Sequence, residues 1–280
     1  GMLMFRGLNQ IVGQSRGIPV DREFVNLLAG YLPEVGPFTG YNNLTLLLGL
    51  VAVVAVVVLE LRGRARRQRL GAAVPPMWVA ITRLVLVAVV IIVAALLFAS
   101  GREGTSFPNA GILFALIALG YAFVTRNTSL GRHVYAVGGN RRAAELSGVR
   151  SRWVDFFVMA NMSVLASVAG MLWIARAQAS GPADGGGWEL DAIAAVFIGG
   201  AAVAGGIGTV AGSIIGGLVM AVLTNGLFAI GVGSDWIPVI KGLVLLVAVA
   251  IDVINKQQGR FSIIALLLRG MRRERSGELA

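Results

Sequence analysis

The sequence predicts an all-α protein: a polytopic membrane helix bundle with a discontinuous glycine-rich region and a short cytoplasmic helix. Three observations predict this fold class. Hydrophobic residues make up 56% of the 280 residues and charged residues only 14%, whereas a soluble domain carries about 25% charged residues. The hydrophobic residues form uncharged runs close to the ~20 residues that a helix needs to cross a bilayer. The basic residues gather in only some of the segments between these runs.

These runs predict six or seven membrane crossings. The first run is almost entirely Leu, Val and Ala, and the second follows Pro75 and Pro76, which suit the first turn of a helix. The fourth is framed by Trp153 and Trp173, about 30 Å apart along a helix, which places an aromatic ring at each interface. The fifth is short and ends in glycines, and is interpreted as a broken or partial crossing. The predicted segments are residues 44–61, 77–99, 109–124, 153–175, 190–204, 209–228 and 237–254.

The basic residues predict which ends of the spans face the cytoplasm. Residues 61–70 contain five basic residues, residues 125–152 six and residues 256–280 six, and alternating spans place these three segments on one side of the membrane. The segments on the opposite side contain five. Cytoplasmic loops of membrane proteins carry such an excess of Lys and Arg. We therefore expect these three segments to be cytoplasmic. The alternative, a nucleic-acid surface, would group its basic residues on one face with aromatic platforms, and it is disfavoured.

The chain lacks residues that several function classes require. It has no Cys and a single His, His133, which excludes disulfides, thiolate nucleophiles and Cys-ligated or paired-His metal sites within it. Its two lysines, Lys241 and Lys256, precede Gly and Gln, whereas a P-loop lysine precedes Ser or Thr. We expect a non-enzymatic subunit without a metal or cofactor, so that any ATP chemistry belongs to a partner. Because Gly1 starts what reads as the end of an apolar segment, we expect a fragment of a longer protein.

Glycines cluster between residues 199 and 217, where the sequence is GGAAVAGGIGTVAGSIIGG. Paired glycines interrupt a helix, which a membrane tolerates only where protein or water shields the backbone. Glycines spaced by four lie on one helix face and permit close packing. Tight packing and a broken region that lines or gates a pathway both fit this pattern. The pairs are Gly199–Gly200 and Gly205–Gly206, and the spaced glycines are Gly208, Gly212 and Gly216.

The polar residues within the predicted spans are mostly neutral. Ionisable residues lie near span ends, whereas ion-coupled carriers place them at mid-depth, so ion coupling is disfavoured. Neutral polar groups suit an uncharged, polyhydroxylated substrate, although interhelical hydrogen bonding is the more common use of such residues. The candidates for the pathway or for helix packing are Asn161, Ser163, Asp191 and Asn225.

The segment 125–152 contains a short predicted helix with a signal at each end. Asn140 suits an N-cap and Gly148 a left-handed C-terminal residue, which predicts a helix over residues 141–147. We expect its polar side chains to be exposed and its apolar ones to be packed. The first set is Arg141, Arg142 and Glu145, and the second is Ala143, Ala144 and Leu146.

This segment resembles the membrane subunits of bacterial ABC importers, in the sugar permease family for ribose- and xylose-type substrates. Residues 138–148 (GGNRRAAELSG) are similar to the family's loop that docks into the ATPase subunit. The broader importer pattern is Glu-Ala-Ala, three further residues and Gly. Ala143, Ala144 and Gly148 match this pattern, and Arg142 stands where the Glu would be.

The resemblance extends over most of residues 110–255. Residues 188–217 and 225–252 are similar to two further signatures of the family, and the pair of spans between residues 44 and 99 looks most like that of the xylose-type members. For residues 1–280 the resemblance implies a single transmembrane permease domain that lacks the family's N-terminal spans. Within it lie a cytoplasmic ATPase-coupling loop, residues 138–150, and a basic cytoplasmic tail, residues 256–280.

The resemblance also implies partners and a role. The expected partners are an ABC ATPase subunit that holds ATP and Mg, an extracytoplasmic sugar-binding protein, a second permease copy and the lipid bilayer of the bacterial inner membrane. The expected substrate is D-xylose or another pentose; ribose, other sugars, a nucleoside and a branched-chain amino acid are alternatives, as is a membrane enzyme or structural subunit without transport. The residues implied in coupling are Gly138, Gly139, Asn140, Arg141, Arg142, Ala143, Ala144, Glu145 and Gly148.

Overall fold

The computed structural model describes residues 2–14, 16–37, 40–71, 76–100, 106–182, 184–202 and 205–257. Within these ranges the chain forms eleven helices and one two-stranded antiparallel sheet. The helices are α1 (Met2–Val12), α2 (Arg22–Ala29), α3 (Asn43–Arg69), α4 (Met77–Ala99), α5 (Asn109–Asn127), α6 (Ser129–Gly139), α7 (Arg141–Leu146), α8 (Ser151–Ala177), α9 (Trp188–Ile198), α10 (Val210–Ala229) and α11 (Trp236–Gln257). The strands are β1 (Ile18–Pro19) and β2 (Ala179–Ser180), with Ile18 opposite Ser180.

Five helices, α3, α4, α5, α8 and α10, are long and apolar enough to cross a membrane. Residues 236–250 of α11 form a shorter apolar helix. The all-α, polytopic membrane fold predicted from the sequence is thus confirmed, because each of these helices falls on a predicted span. The fifth predicted span, residues 190–204, is a shorter helix than expected, since α9 ends at Ile198.

Two segments predicted to be cytoplasmic loops are partly helical instead. The helix α3 continues to Arg69, so the arginines of residues 61–70 lie on a helical extension; Arg is a good helix former and basic residues stabilise the last turn of a helix. The helix α6, whose N-cap Thr128 accepts a hydrogen bond from Gly131 N, was not predicted. The basic tail, residues 256–280, lies outside the described residues except for the last two positions of α11.

The chain separates into two compact units. The first comprises Gly1–Ala115 and Val168–Pro182. In it α3 and α4 pack as an antiparallel pair, and a Cβ atom on Gly49 would lie 2.6 Å from the Cβ of Ala95. Close to the start of α3, Thr45 is buried, donates from its hydroxyl to Asn42 Oδ1 and accepts from Phe107 N.

The second unit comprises Leu116–Ser167 and Ala183–Ala280. Its core is an apolar cluster of Ala194, Ala195 and Met220, against which further side chains of α9, α10 and α11 pack. This unit contains all the candidate coupling residues and the glycine-rich region, so the site is described within it.

Candidate functional site

In the coupling segment, residues 138–150, a single asparagine both ends the helix α6 and caps the helix α7. The backbone N–H of Asn140 donates to Ala136 O at 3.0 Å and closes α6, and its side-chain oxygen accepts from Ala143 N at 3.0 Å and caps α7. The two helices are therefore joined by a single residue. An N-cap of this kind satisfies a backbone N–H that the helix itself leaves unpaired.

The end of α7 is closed by a Schellman motif. Gly148 has φ +85°, its N–H donates to Glu145 O, and the N–H of Val149 donates to Ala144 O, both at 3.0 Å. A side chain is disfavoured at this φ, which explains the glycine. The helix ends at Leu146, one residue before the predicted boundary, because Ser147 is already the C-cap.

An ion network fixes α7 to the first turns of α8. Arg141 donates from Nη2 to Asp155 Oδ2 at 2.6 Å and from Nε to Glu145 Oε1 at 3.3 Å, and Ser151 donates to Glu145. The hydrogen bond from Ser151, with help from Arg141, holds the pKa of Glu145 below its usual value, and the bond to Asp155 raises the pKa of Arg141. These groups are half exposed, so the network orients α7 more than it stabilises the fold.

The outer face of α7 differs from the prediction. Ala144 is 5% exposed and packs inward, but Ala143 is exposed and Leu146 is 84% exposed. The expectation that these two side chains pack was therefore wrong. Leu146 follows Ala144 by two positions, which places it on the opposite side of a helix. The exposed face of α7 thus combines Arg142 with an apolar leucine.

The glycine loop, residues 199–209, separates α9 from α10. Gly199 is the C-cap of α9, and Gly200, Gly205 and Gly206 have φ of +83°, +84° and +75°. Gly208 precedes Thr209, the N-cap of α10, so the predicted row of three glycines on one helix is wrong at its first member. Gly208 lies outside the helix because α10 is capped by Thr209, whose hydroxyl accepts a hydrogen bond from Gly212 N.

The two remaining spaced glycines lie against α9. A Cβ atom on Gly212 would overlap the carbonyl oxygen of Gly199, and one on Gly216 would overlap that of Ala195. Backbone therefore packs on backbone between α9 and α10, as small residues permit in membranes.

The glycine loop also touches α6. The hydroxyl of Tyr135 donates to Gly208 O at 2.8 Å, and the backbone of Gly138 lies against that of Gly205 and Gly206. No sequence signal pointed to Tyr135, since its partner lies 73 positions away. Gly139 lies beside the same loop, with Gly206 Cα 4.0 Å from the position of its Cβ.

The candidate polar residues of the spans are separated by the structure. Asn161 accepts from the hydroxyl of Tyr121 on α5, which sequence reasoning missed. Ser163 and Asn225 are exposed and donate to carbonyls four residues back in their own helices. Asp191 in α9 pairs with Lys241 in α11, with 2.7 Å between Oδ2 and Nζ.

The described part of the chain holds no group of three or more His, Cys, Asp or Glu residues that could bind a metal ion.

Comparison with known proteins relates the chain to membrane permeases. Residues 25–249 match the family described as the permease component of the branched-chain amino acid transport system. The xylose transport system permease protein of Haemophilus influenzae is 37% identical over 92% of this chain and 66% of its own length, and that of Escherichia coli K12 is 35% identical over 92% and 63%. The ribose import permease protein of Escherichia coli K12 is 40% identical over 58% of this chain and 49% of its own length.

The chain spans less than two thirds of the length of the two xylose permeases. No solved structure matches it.

Proposed function

Because the chain belongs to the family of branched-chain amino acid transport system permease components, we propose that it is the membrane subunit of a bacterial ABC sugar importer. The proposal places it as a multi-pass protein of the inner membrane that forms a translocation pathway for a monosaccharide. It is supported by the similarity to xylose permeases along 92% of the chain and by five helices able to span a bilayer.

The observation that carries the proposal is the construction of the coupling segment. Its six-residue helix α7 is capped at both ends, joined to α6 by Asn140 alone and tied to α8 by Arg141. Such a helix moves as one piece with the segments that flank it. Its exposed face presents Leu146 and Arg142. Burial of an exposed leucine against a partner is favourable, and arginine is enriched among the residues that dominate binding at protein interfaces. The proposed partner is an ATPase subunit.

In this proposal the ATP and Mg are bound by the ATPase subunit, and this chain supplies no hydrolytic residue. The absence of a lysine in P-loop context supports that division. A second copy of the permease completes the pathway, and an extracytoplasmic sugar-binding protein delivers the substrate. Closure of the ATPase subunits on nucleotide pushes α7, and this displacement changes the access of the pathway.

The proposed substrate is D-xylose or another pentose. The charged residues Asp191 and Lys241 neutralise each other, and the exposed polar side chains in the middle of α8 and in α10, Ser163, Ser167 and Asn225, are neutral. Neutral donors and acceptors suit the hydroxyl groups of a sugar.

The family's description favours a second candidate, a permease for a branched-chain amino acid. Such a substrate carries both a carboxylate and an ammonium group, which a pathway would match with charge or with helix ends. Transport assays with D-xylose, ribose, a nucleoside and leucine separate the candidates, and the proposal predicts uptake of the pentose.

Co-purification of the ATPase subunit tests the proposal at Leu146. Leu146→Ser removes the exposed anchor without touching inner packing, and Leu70→Ser is its matched control, since Leu70 is 72% exposed and ends α3 on the same predicted side. We expect the ATPase subunit to bind Leu146→Ser about 5- to 30-fold more weakly, as loss of an interface anchor costs about 1–2 kcal/mol, and to bind Leu70→Ser normally. Equal binding to the two variants, or no ATPase bound to the unmodified permease, would refute the proposal.

A further inference from the structure

The glycine loop, residues 199–209, is held directly against the helix that leads into the coupling segment. The hydroxyl of Tyr135 donates to Gly208 O at 2.8 Å. A Cβ atom on Gly138 would lie 2.8 Å from Gly206 N, and one on Gly205 would lie 2.7 Å from Gly138 O. Side chains do not approach backbone atoms this closely, so the contact requires glycine on both sides.

No flexible linker separates this contact from α7. Gly139 is the last residue of α6, Asn140 is the cap of both helices, and α7 begins at Arg141. A displacement of α7 therefore reaches Gly138 and Tyr135 without a loop in between that could absorb it.

The glycine loop is itself internally bonded. The N–H of Ala202 donates to Ile207 O at 3.1 Å, and that of Gly205 donates to Ala202 O at 2.9 Å. Gly199, the first residue of the loop, packs against the backbone of Gly212 in the first turn of α10. Each of these contacts of residues 199–202 and 205–209 is between backbone atoms, so these described parts of the loop are linked directly to each other and to α10.

The contacts continue into the membrane-spanning helices. Gly216 packs on Ala195 and holds α10 to α9, and the ion pair of Asp191 with Lys241 holds α9 to α11. A continuous row of packed backbone and paired side chains thus runs from α7 through α6 and the glycine loop to α9 and α11.

We infer that Tyr135 and Gly138 are positioning residues that pass the movement of α7 to the glycine loop and, through the loop, to α9. The inference rests on the proposed function, because the ATPase subunit is what moves α7. It assigns to the glycine loop a mechanical role in switching the pathway, beyond its role in packing. An unbroken series of contacts allows movement to pass between two sites, but only a measured change at one site in response to the other demonstrates coupling.

A single introduced thiol reports on the glycine loop. The chain contains no cysteine, and Ile207 in the loop is 67% exposed, so Ile207→Cys gives the permease one reactive site. In the complex of the complete permease with its ATPase subunit, we would measure the rate of maleimide modification without nucleotide and with trapped ATP. The variants are Gly138→Ala and Tyr135→Phe, and the matched control is Gly120→Ala in α5, whose Cβ would meet nothing within 4 Å.

We expect nucleotide to change the modification rate in the parent and in Gly120→Ala, and to leave it unchanged in Gly138→Ala and Tyr135→Phe. The sugar transported per ATP hydrolysed should fall about 2- to 30-fold in the latter two, equivalent to about 0.5–2 kcal/mol of coupling. A purely structural role would lower the melting temperature and the yield but leave this ratio intact. Tyr135→Phe removes only a hydroxyl and so keeps the test independent of a folding defect in Gly138→Ala.

The inference is overturned if nucleotide changes the rate of maleimide modification in both variants as it does in the control. It is also overturned if nucleotide does not change this rate in the parent while the complex still transports sugar. Failure of the proposed function gives a different result, which appears before any labelling. In that case no ATPase subunit binds the parent permease, and both conclusions fall.

Discussion

At the scale of single residues, Asn140 joins the two helices α6 and α7 of the coupling segment. It closes α6 through its N–H and caps α7 through its amide oxygen. A six-residue helix has no interior that could compensate for a lost cap, because isolated short helices are unstable in water. The orientation of the exposed Leu146 therefore depends on this acceptor as well as on the hydrogen bonds of Arg141.

Replacing Asn140 tests this dependence. Asn140→Ala should destabilise α7 by about 0.5–2 kcal/mol, the usual cost of a lost N-cap, and should weaken ATPase binding by a comparable free energy. Asn140→Asp, which retains the acceptor, should bind nearly as the parent does. Measured affinities of the purified ATPase subunit for the three proteins would check this, and equal affinities for the Ala and Asp variants would contradict it.

Single residues also show where sequence reasoning reaches its limit. The caps of α7 were predictable because an asparagine at the start and a glycine at the end act locally. The exposure of Leu146 and the bond from Tyr135 to Gly208 were not, because burial and contacts between distant positions depend on how the helices pack. The coupling role assigned to residues 138–148 stays a prediction.

At the scale of elements, the pair α9 and α10 is the part of the structure most dependent on glycine. Gly212 and Gly216 face carbonyl oxygens of α9, and the neighbouring Gly217 faces open space. The requirement is therefore specific to one face of α10. The sequence indicated that face through its four-residue spacing, but the position of Gly208 was misjudged because the cap at Thr209 begins the helix later.

Substitution of adjacent glycines tests this face. Gly216→Ala should lower the melting temperature of the purified protein, because forcing a methyl group into packed backbone costs about 1–3 kcal/mol. Gly217→Ala should leave the melting temperature unchanged or raise it slightly, since its Cβ meets nothing within 4 Å. Equal effects of the two substitutions in a thermal-unfolding assay would show that α9 and α10 do not pack as described.

The ion pair between α9 and α11 gives a second prediction at this scale. Asp191 and Lys241 are partly buried, with side chains 30% and 20% exposed. Asp191→Asn or Lys241→Gln alone should lower the melting temperature more than the double substitution does, because each single change leaves an unpaired charge. Thermal unfolding of the four proteins forms a double-mutant cycle. Additive effects would mean that the two residues do not interact.

At the scale of the whole molecule, the features that could be predicted are mostly the membrane-spanning helices, because the thickness of the bilayer fixes their length and composition. A helix that crosses about 30 Å of hydrocarbon needs a long apolar run, which is visible in the sequence. The predicted spans therefore match α3, α4, α5, α8 and α10. The extension of α3 to Arg69 and the helix α6 escaped prediction. Outside hydrocarbon a helix does not need an apolar run, and basic sequence suits a loop and a surface helix equally.

We propose that α7 couples ATP hydrolysis in a partner ATPase subunit to the movement of sugar through this chain. The most direct test is the ATPase activity of the complete complex in liposomes, measured with empty and with D-xylose-loaded binding protein, for the parent and for Ala144→Arg, which disrupts the buried side of α7. We predict that loaded binding protein stimulates ATP hydrolysis and D-xylose uptake in the parent, and that Ala144→Arg abolishes the uptake. ATP hydrolysis indifferent to every sugar tested, or normal uptake by Ala144→Arg, would contradict the claim.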